Sequence, residues 1–237
     1  MGACTSELES EKEIWMLLEF CDHGDLKQYL INHKQEILSE ETEALNTRCL
    51  VMWAYDVAKG MQYLSDKKIM HGDLAARNVL LTHDMTAKIA DFGLSTRIYV
   101  HTTERKGPIE NAIPFRWAAI EIIQGKTAIK EYSDVWSYGV LIWEIFYIGA
   151  AVPYGDKKGF EDIIEFLQRG HRLNKPPLCP DNIYDVMLDC RHDNYLYRPR
   201  FKQLKSQLQT FDQKINEGKE EKDTIQDDLK TIYGYLN

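Results

Sequence analysis

Residues 135–148 set the first constraint on the fold. They form the most apolar stretch of the chain and carry Ser137, Gly139 and Glu144 within it. A helix that is apolar all round must be enclosed by protein or by lipid. This one is too short and too polar to cross a membrane, so it reads as a buried core helix, with Ser133 expected to cap its start. The chain has 237 residues, 44% hydrophobic and 28% charged, which suffices to build such a core in one large domain or two small ones without disulfides or metals.

The formal net charge of -8 argues against nucleic acid as the main partner, because phosphate binding needs clustered Lys and Arg. Cys4, Cys21, Cys49, Cys179 and Cys190 are scattered and form no C-x-x-C pair, which argues against a zinc site and suits a reducing, cytoplasmic setting. No signal peptide is visible at the start.

Residues 14–20 read as a short strand, 26–31 as a short helix and 35–46 as a polar surface connection. Leu50, Ala54, Val57, Ala58, Met61 and Leu64 fall in one stripe at helical spacing and predict the first long helix, with Asn46 or Thr47 as its cap. Short strands are expected at 67–70, 79–81 and 87–90. Residues 91–124 show no sustained period and read as a long functional loop. Further helices are expected at 159–168, 182–190 and 201–211. From Asp212 onward charged residues crowd together, as in a disordered tail or a loosely docked helix.

The strongest chemical signal is His71-Gly72-Asp73-Leu74-Ala75-Ala76-Arg77-Asn78, followed by Asp91-Phe92-Gly93. Together these resemble the catalytic loop and the magnesium loop of protein kinases. The resemblance implies ATP and Mg2+ as cofactors. It implies Asp73 as the group that orients the substrate hydroxyl, Arg77 as its charged neighbour in the loop, and Asn78 and Asp91 as magnesium ligands. The residue types suit the chemistry: phosphoryl transfer needs positioning and charge neutralisation, and magnesium prefers oxygen ligands. Gly93 is expected to let the backbone turn directly after the metal ligand.

Other segments extend the likeness. Residues 16–21 resemble the kinase hinge, which implies Leu18 at the gatekeeper position and Glu19, Cys21 and Leu80 around the nucleotide. Glu121 and Arg198 match the pair that ties the end of the activation segment to the core. Asp134 matches the helix aspartate that anchors the catalytic-loop backbone, and a charge there also suits a helix N-terminus. Ala75-Ala76-Arg77 and Pro114 within Ile113-Pro114-Phe115-Arg116-Trp117 have the tyrosine-kinase form, implying protein substrates phosphorylated on tyrosine. Met1-Gly2-Ala3-Cys4-Thr5 and residues 149–154 resemble receptor kinases of the fibroblast and platelet-derived growth factor receptor group. The fold so implied is mainly α: a protein-kinase-like α+β fold with a large helical C-terminal lobe and short strands, most of the strand-rich N-terminal lobe being absent. Residues 1–21 would be a remnant of that lobe with the hinge, 22–211 the C-terminal lobe and 212–237 the charged tail.

The sequence also departs from the family. Gly72 stands where the family has an arginine that pairs with a phosphate on the activation loop. Tandem activation-loop tyrosines are lacking, leaving Tyr99. No glycine-rich loop or lysine strand precedes Ile14, so the chain alone is expected to be inactive and marginally soluble. A kinase-like docking or decoy module, and a fragment with no separate function, are the alternatives. Tyr235, followed two residues on by asparagine, would recruit a phosphotyrosine adaptor if phosphorylated; the plainer reading is an ordinary chain end.

Overall fold

The computed structural model describes residues 2–4, 15–38, 47–93, 96–97, 114–125 and 131–216. Its helices α1 (Leu26–Asn32), α2 (Lys34–Leu38), α3 (Thr47–Asp66), α4 (Ile120–Ile123), α5 (Glu131–Phe146), α6 (Phe160–Gln168), α7 (Asp181–Cys190) and α8 (Phe201–Asn216) are joined by short strands. The apolar stretch lies in α5, and residues 133–146 are all buried. Helices α1, α3 and α7 pack against it. The stripe on α3 is buried as its spacing requires, and this helix packs on α8 and α5. Tyr138 donates its hydroxyl to the Ala54 carbonyl at 2.7 Å, so the α3–α5 contact keeps even its polar atom satisfied. On the other side α7 approaches closely. A Cβ on Gly139 would stand 2.7 Å from the Cys190 Cβ, so this packing requires glycine.

The strands pair antiparallel in three two-stranded sheets among the described residues: β1 (Gly2–Cys4) with β2 (Trp15–Leu17), β3 (Ile69–Met70) with β6 (Thr96–Arg97), and β4 (Val79–Leu81) with β5 (Ala87–Ile89). In the last pair Val79 faces Ile89, so the residues just outside the hairpin, Asn78 and Ala90, also meet. The Ala90 N–H donates to the Asn78 carbonyl at 2.9 Å.

Several sequence expectations need correction. Ser133 does not cap α5, which starts at Glu131, where the Ser65 hydroxyl holds the glutamate carboxylate at 2.6 Å. Residues 35–38 are helical, because the chain continues from α1 with Ile37 N–H donating to the His33 carbonyl and Ile37 resting on the core. The long segment 91–124 is not loop throughout: Thr96–Arg97 forms β6, and buried Ile122 and Ile123 draw its end into α4. Of the strand expected at 14–20, Trp15–Leu17 forms β2 and residues 18–20 lie outside it. Helix α8 runs past Phe211 to Asn216, with Arg48 donating to Asp212 at 2.8 Å. Tyr99, Ile113 and Tyr235 lie outside the described residues.

Candidate active site

The His71–Asn78 loop follows β3 and ends in a 3-10 turn, Ala76–Asn78, that enters β4. Two carboxylates of α5 fix its backbone. Asp134 accepts the N–H of His71 at 2.8 Å and of Gly72 at 2.9 Å, one on each oxygen. Gly72 has φ 79°, a left-handed conformation that glycine adopts without strain. The His71 ring has both nitrogens engaged. Nδ1 accepts the Asp73 N–H at 3.2 Å, so Nε2 carries the proton that goes to the Ala90 carbonyl at 3.0 Å. His71 therefore joins the catalytic loop to the segment that leads to Asp91.

Asp73 and Arg77 meet, with Arg77 Nη2 donating to Asp73 Oδ1 at 2.5 Å. The Arg77 guanidinium also lies 4.4 Å from the centre of the Trp117 ring, which brings the residues after Pro114 against the loop. Asn78 Nδ2 donates to the Asp73 carbonyl at 2.7 Å. Only the amide nitrogen can donate there, so the orientation of the amide is fixed and its oxygen is left as an acceptor. The β4–β5 register puts Asn78 and Asp91 at the same end of the hairpin. Asp91 is exposed and takes φ 57°, with one carboxylate oxygen accepting the Gly93 N–H at 3.2 Å.

The backbone turn was expected at Gly93, but the left-handed residue is Asp91. What glycine provides at 93 is closeness, since a Cβ there would stand 3.1 Å from the Asp91 carboxylate. Phe92 is half exposed and its ring lies 5.3 Å from that of His71.

The hinge-like segment follows β2. Leu18 and Phe20 are exposed, and the Lys88 ammonium of β5 pairs with the Glu19 carboxylate. Burial and the nearby Glu19 charge push the Cys21 thiol up. The chain then docks on β4: His23 N–H donates to Leu81 O and Leu81 N–H to Gly24 O. Leu80 lies in that strand, facing Lys88 in the register. Glu19, Cys21 and Leu80 are thus drawn to the β4–β5 hairpin that carries Asn78 and Asp91, while Leu18 stands exposed.

Glu121 and Arg198 form a two-pronged fork, 2.7 and 2.9 Å long, and Arg198 also donates to the carbonyls of Tyr132 and His192. Pro114 opens a turn in which its carbonyl accepts the N–H of Trp117 and Ala118.

Residues 1–208 match a family model described as protein tyrosine and serine/threonine kinase. The chain belongs to that family. Over 215 residues it is 38% identical to fibroblast growth factor receptor 1 of Pleurodeles waltl, covering 88% of this chain and 25% of that protein. The fibroblast growth factor receptor 1 of Xenopus laevis is also 38% identical over 215 residues, 26% of its length. The chain thus spans about a quarter of these curated relatives. Its sequence is of the receptor tyrosine kinase type, and its mainly helical fold with short strands is that of a kinase large lobe.

The kinase loop has a second anchor that the motifs did not reveal. Glu144 is 1% exposed, and its Oε2 accepts both the Ala76 N–H at 2.9 Å and the Trp117 indole N–H at 2.8 Å. Burial raises the carboxyl above its ordinary value, against those two hydrogen bonds. Burial likewise raises Asp134, opposed by the Gly72 and His71 N–H groups. The one signal for Glu144 was its presence in the apolar stretch, since a buried charge must have partners. Arg116 was also missed. Its guanidinium donates to the carbonyls of Pro153, Tyr154 and Lys157, fixing the Pro114–Trp117 turn on its outer side.

The donor set suits the cofactors implied for a kinase. The Asn78 amide oxygen and the Asp91 carboxylate are hard oxygen donors at the same end of the hairpin, the type of group that magnesium prefers.

Proposed function

We propose that this chain is the large-lobe part of an ATP-dependent protein-tyrosine kinase of receptor type, acting on the cytoplasmic side of the membrane. The observation that carries the reading is the anchoring of Asp73: its neighbours His71 and Gly72 hang on Asp134, its carbonyl holds Asn78 and its carboxylate holds Arg77. Asp73 accepts the O–H of a substrate tyrosine on its second oxygen and aims the phenol at the γ-phosphate. Arg77 keeps the carboxylate in place and adds positive charge beside the transfer. Asn78 and Asp91 hold magnesium, which when bound offsets phosphate charge. Leu18, Glu19, Cys21 and Leu80 border the nucleotide. The apolar face of Pro114 offers a surface for a flat phenol ring, favouring tyrosine over serine.

The test is phosphotransfer to a tyrosine-containing peptide pool by the protein purified from its own cells, with magnesium and ATP. Loss of at least about 100-fold is expected in Asp73→Asn. Activity that survives this change undiminished overturns the assignment.

Gly72 and the lone Tyr99 also support a regulatory reading: activity does not depend on a phosphorylated tyrosine pair. Tyr99→Phe is expected to keep wild-type turnover, and an inactive Tyr99→Phe protein excludes the idea.

A further inference from the structure

Arg191, directly after α7, is fully buried. Its Nε donates to the Met187 carbonyl at 2.9 Å, while Nη1 and Nη2 meet no acceptor among the described residues. The side chain has a built place. A Cβ on Gly139 would stand 3.2 Å from the Arg191 Cγ, so α5 makes room for it. Burial disfavours its charge, and the titratable neighbours that offset this are the phenols of Tyr154 and Tyr184 and the thiol of Cys190, none of them a carboxylate. The buried Tyr154 hydroxyl lies beside the guanidinium at the edge of hydrogen-bonding range, and it has no other partner among the described residues.

A second arginine borders the place. Arg172 Nε donates to the Arg191 carbonyl at 2.9 Å, and its guanidinium lies 5.4 Å from the Trp136 ring centre. The charge of Arg172 is matched, because it pairs with Asp193. The charge of Arg191 is not. Arginine does not give up its proton in proteins, so burial cannot neutralise it. The guanidinium offers donors alone, the Tyr154 hydroxyl can accept from it and still donate its own proton, and among the described residues the uncompensated charge is a single positive one. Water would satisfy the donors and leave the charge.

We propose that Arg191, Arg172 and the Tyr154 hydroxyl form a buried site for a small monovalent anion of chloride size, a structural ion of the large lobe. Arg191 supplies two charge-assisted donors, Tyr154 a third, and Arg172 the outer wall.

The experiment is thermal unfolding of the 237-residue chain at constant ionic strength, with sodium gluconate replaced stepwise by sodium chloride or bromide. Gluconate is a much larger anion than either halide. Wild type is expected to gain about 2–4 °C in Tm with a saturating dependence on halide. Arg191→Met is expected to show no halide dependence. Tyr154→Phe is expected to raise the half-saturating halide concentration by about 3–10-fold, the loss of one hydrogen bond. A flat wild-type titration overturns the proposal. So does a halide effect that persists in Arg191→Met, because the ion then binds elsewhere. Should Arg191→Met fail to fold, Tyr154→Phe decides: an unchanged half-saturation point overturns the site.

Discussion

The loop at residues 71–78 and the segment at residues 18–21 both lead onto the β4–β5 hairpin, yet they are held by different physics. The loop hangs on Asp134 and Glu144, both buried, through N–H groups removed from water. The hinge-like segment exposes Leu18 and Phe20 at 62% and 81%, and its charged link is the surface pair Lys88–Glu19. A desolvated hydrogen bond is costly to break because the orphaned group stays buried, whereas an exposed ion pair exchanges freely with water. On the proposed function, the difference assigns precision to the side that would aim Asp73, and compliance to the side that would receive a planar base.

The strongest way to break this comparison is to orphan a buried charge. Arg198→Met removes the partner of Glu121, whose side chain is 15% exposed, and is expected to cost about 3–5 kcal/mol of unfolding free energy by urea denaturation. Asp134→Ala comes next. It leaves the His71 and Gly72 N–H groups without acceptors, a loss of about 2–4 kcal/mol, and phosphotransfer should fall with it. Losses below about 1 kcal/mol in both variants would show that the buried side is no stiffer than the exposed one.

Glu144 sharpens the contrast through pH. Burial holds its carboxyl above the ordinary 4.5, so the folded chain keeps a proton where the unfolded chain has lost it. That contribution to stability is fully present below 4.5 and is lost as pH rises through the raised folded value. Glu144→Gln keeps an oxygen for the Ala76 and Trp117 donors and cannot ionise. Its stability is expected to stay within about 0.5 kcal/mol of wild type at pH 5 and to exceed it by up to about 1 kcal/mol at pH 8. A variant less stable than wild type at pH 8 and equal at pH 5 would reverse the sign and show that the ionised form is the favoured one.

Much of this was legible in the residues. The apolar run at 135–148 required burial, the α3 stripe named its own inner face, and Asp134, Glu121 and Arg198 stood out within recognisable motifs. Glu144 was read only as a polar interruption because its partners, Ala76 and Trp117, come from distant parts of the chain and only folding brings them together. Ser133 was misread for the opposite reason. It has the chemistry of a cap, but the hydrogen bond between Ser65 and Glu131 lengthens the helix beyond it. Arg191 gave no sign at all, since nothing local distinguishes a buried arginine from a surface one. Helix α2 was hidden in a polar segment in which the partly buried Ile37 shows no period.

The smallest expected effect is on the exposed side. Lys88 and Glu19 side chains are 41% and 56% exposed, so water and salt screen their attraction. The hydrogen bond to Glu19 raises Lys88 above its ordinary value, but at this exposure the shift carries little stability. Glu19→Gln is expected to change unfolding free energy by less than about 0.5 kcal/mol, and a double-mutant cycle with Lys88→Met should give a coupling that vanishes in about 1 M salt. The pair still joins β5 to the segment after β2, so its loss should appear in motion: amide exchange at residues 18–21 is expected to quicken while the catalytic loop is unchanged. Coupling above about 2 kcal/mol, or faster exchange at His71 and Gly72, would mean that the exposed pair also positions the loop, and the division between a rigid and a compliant side would fail.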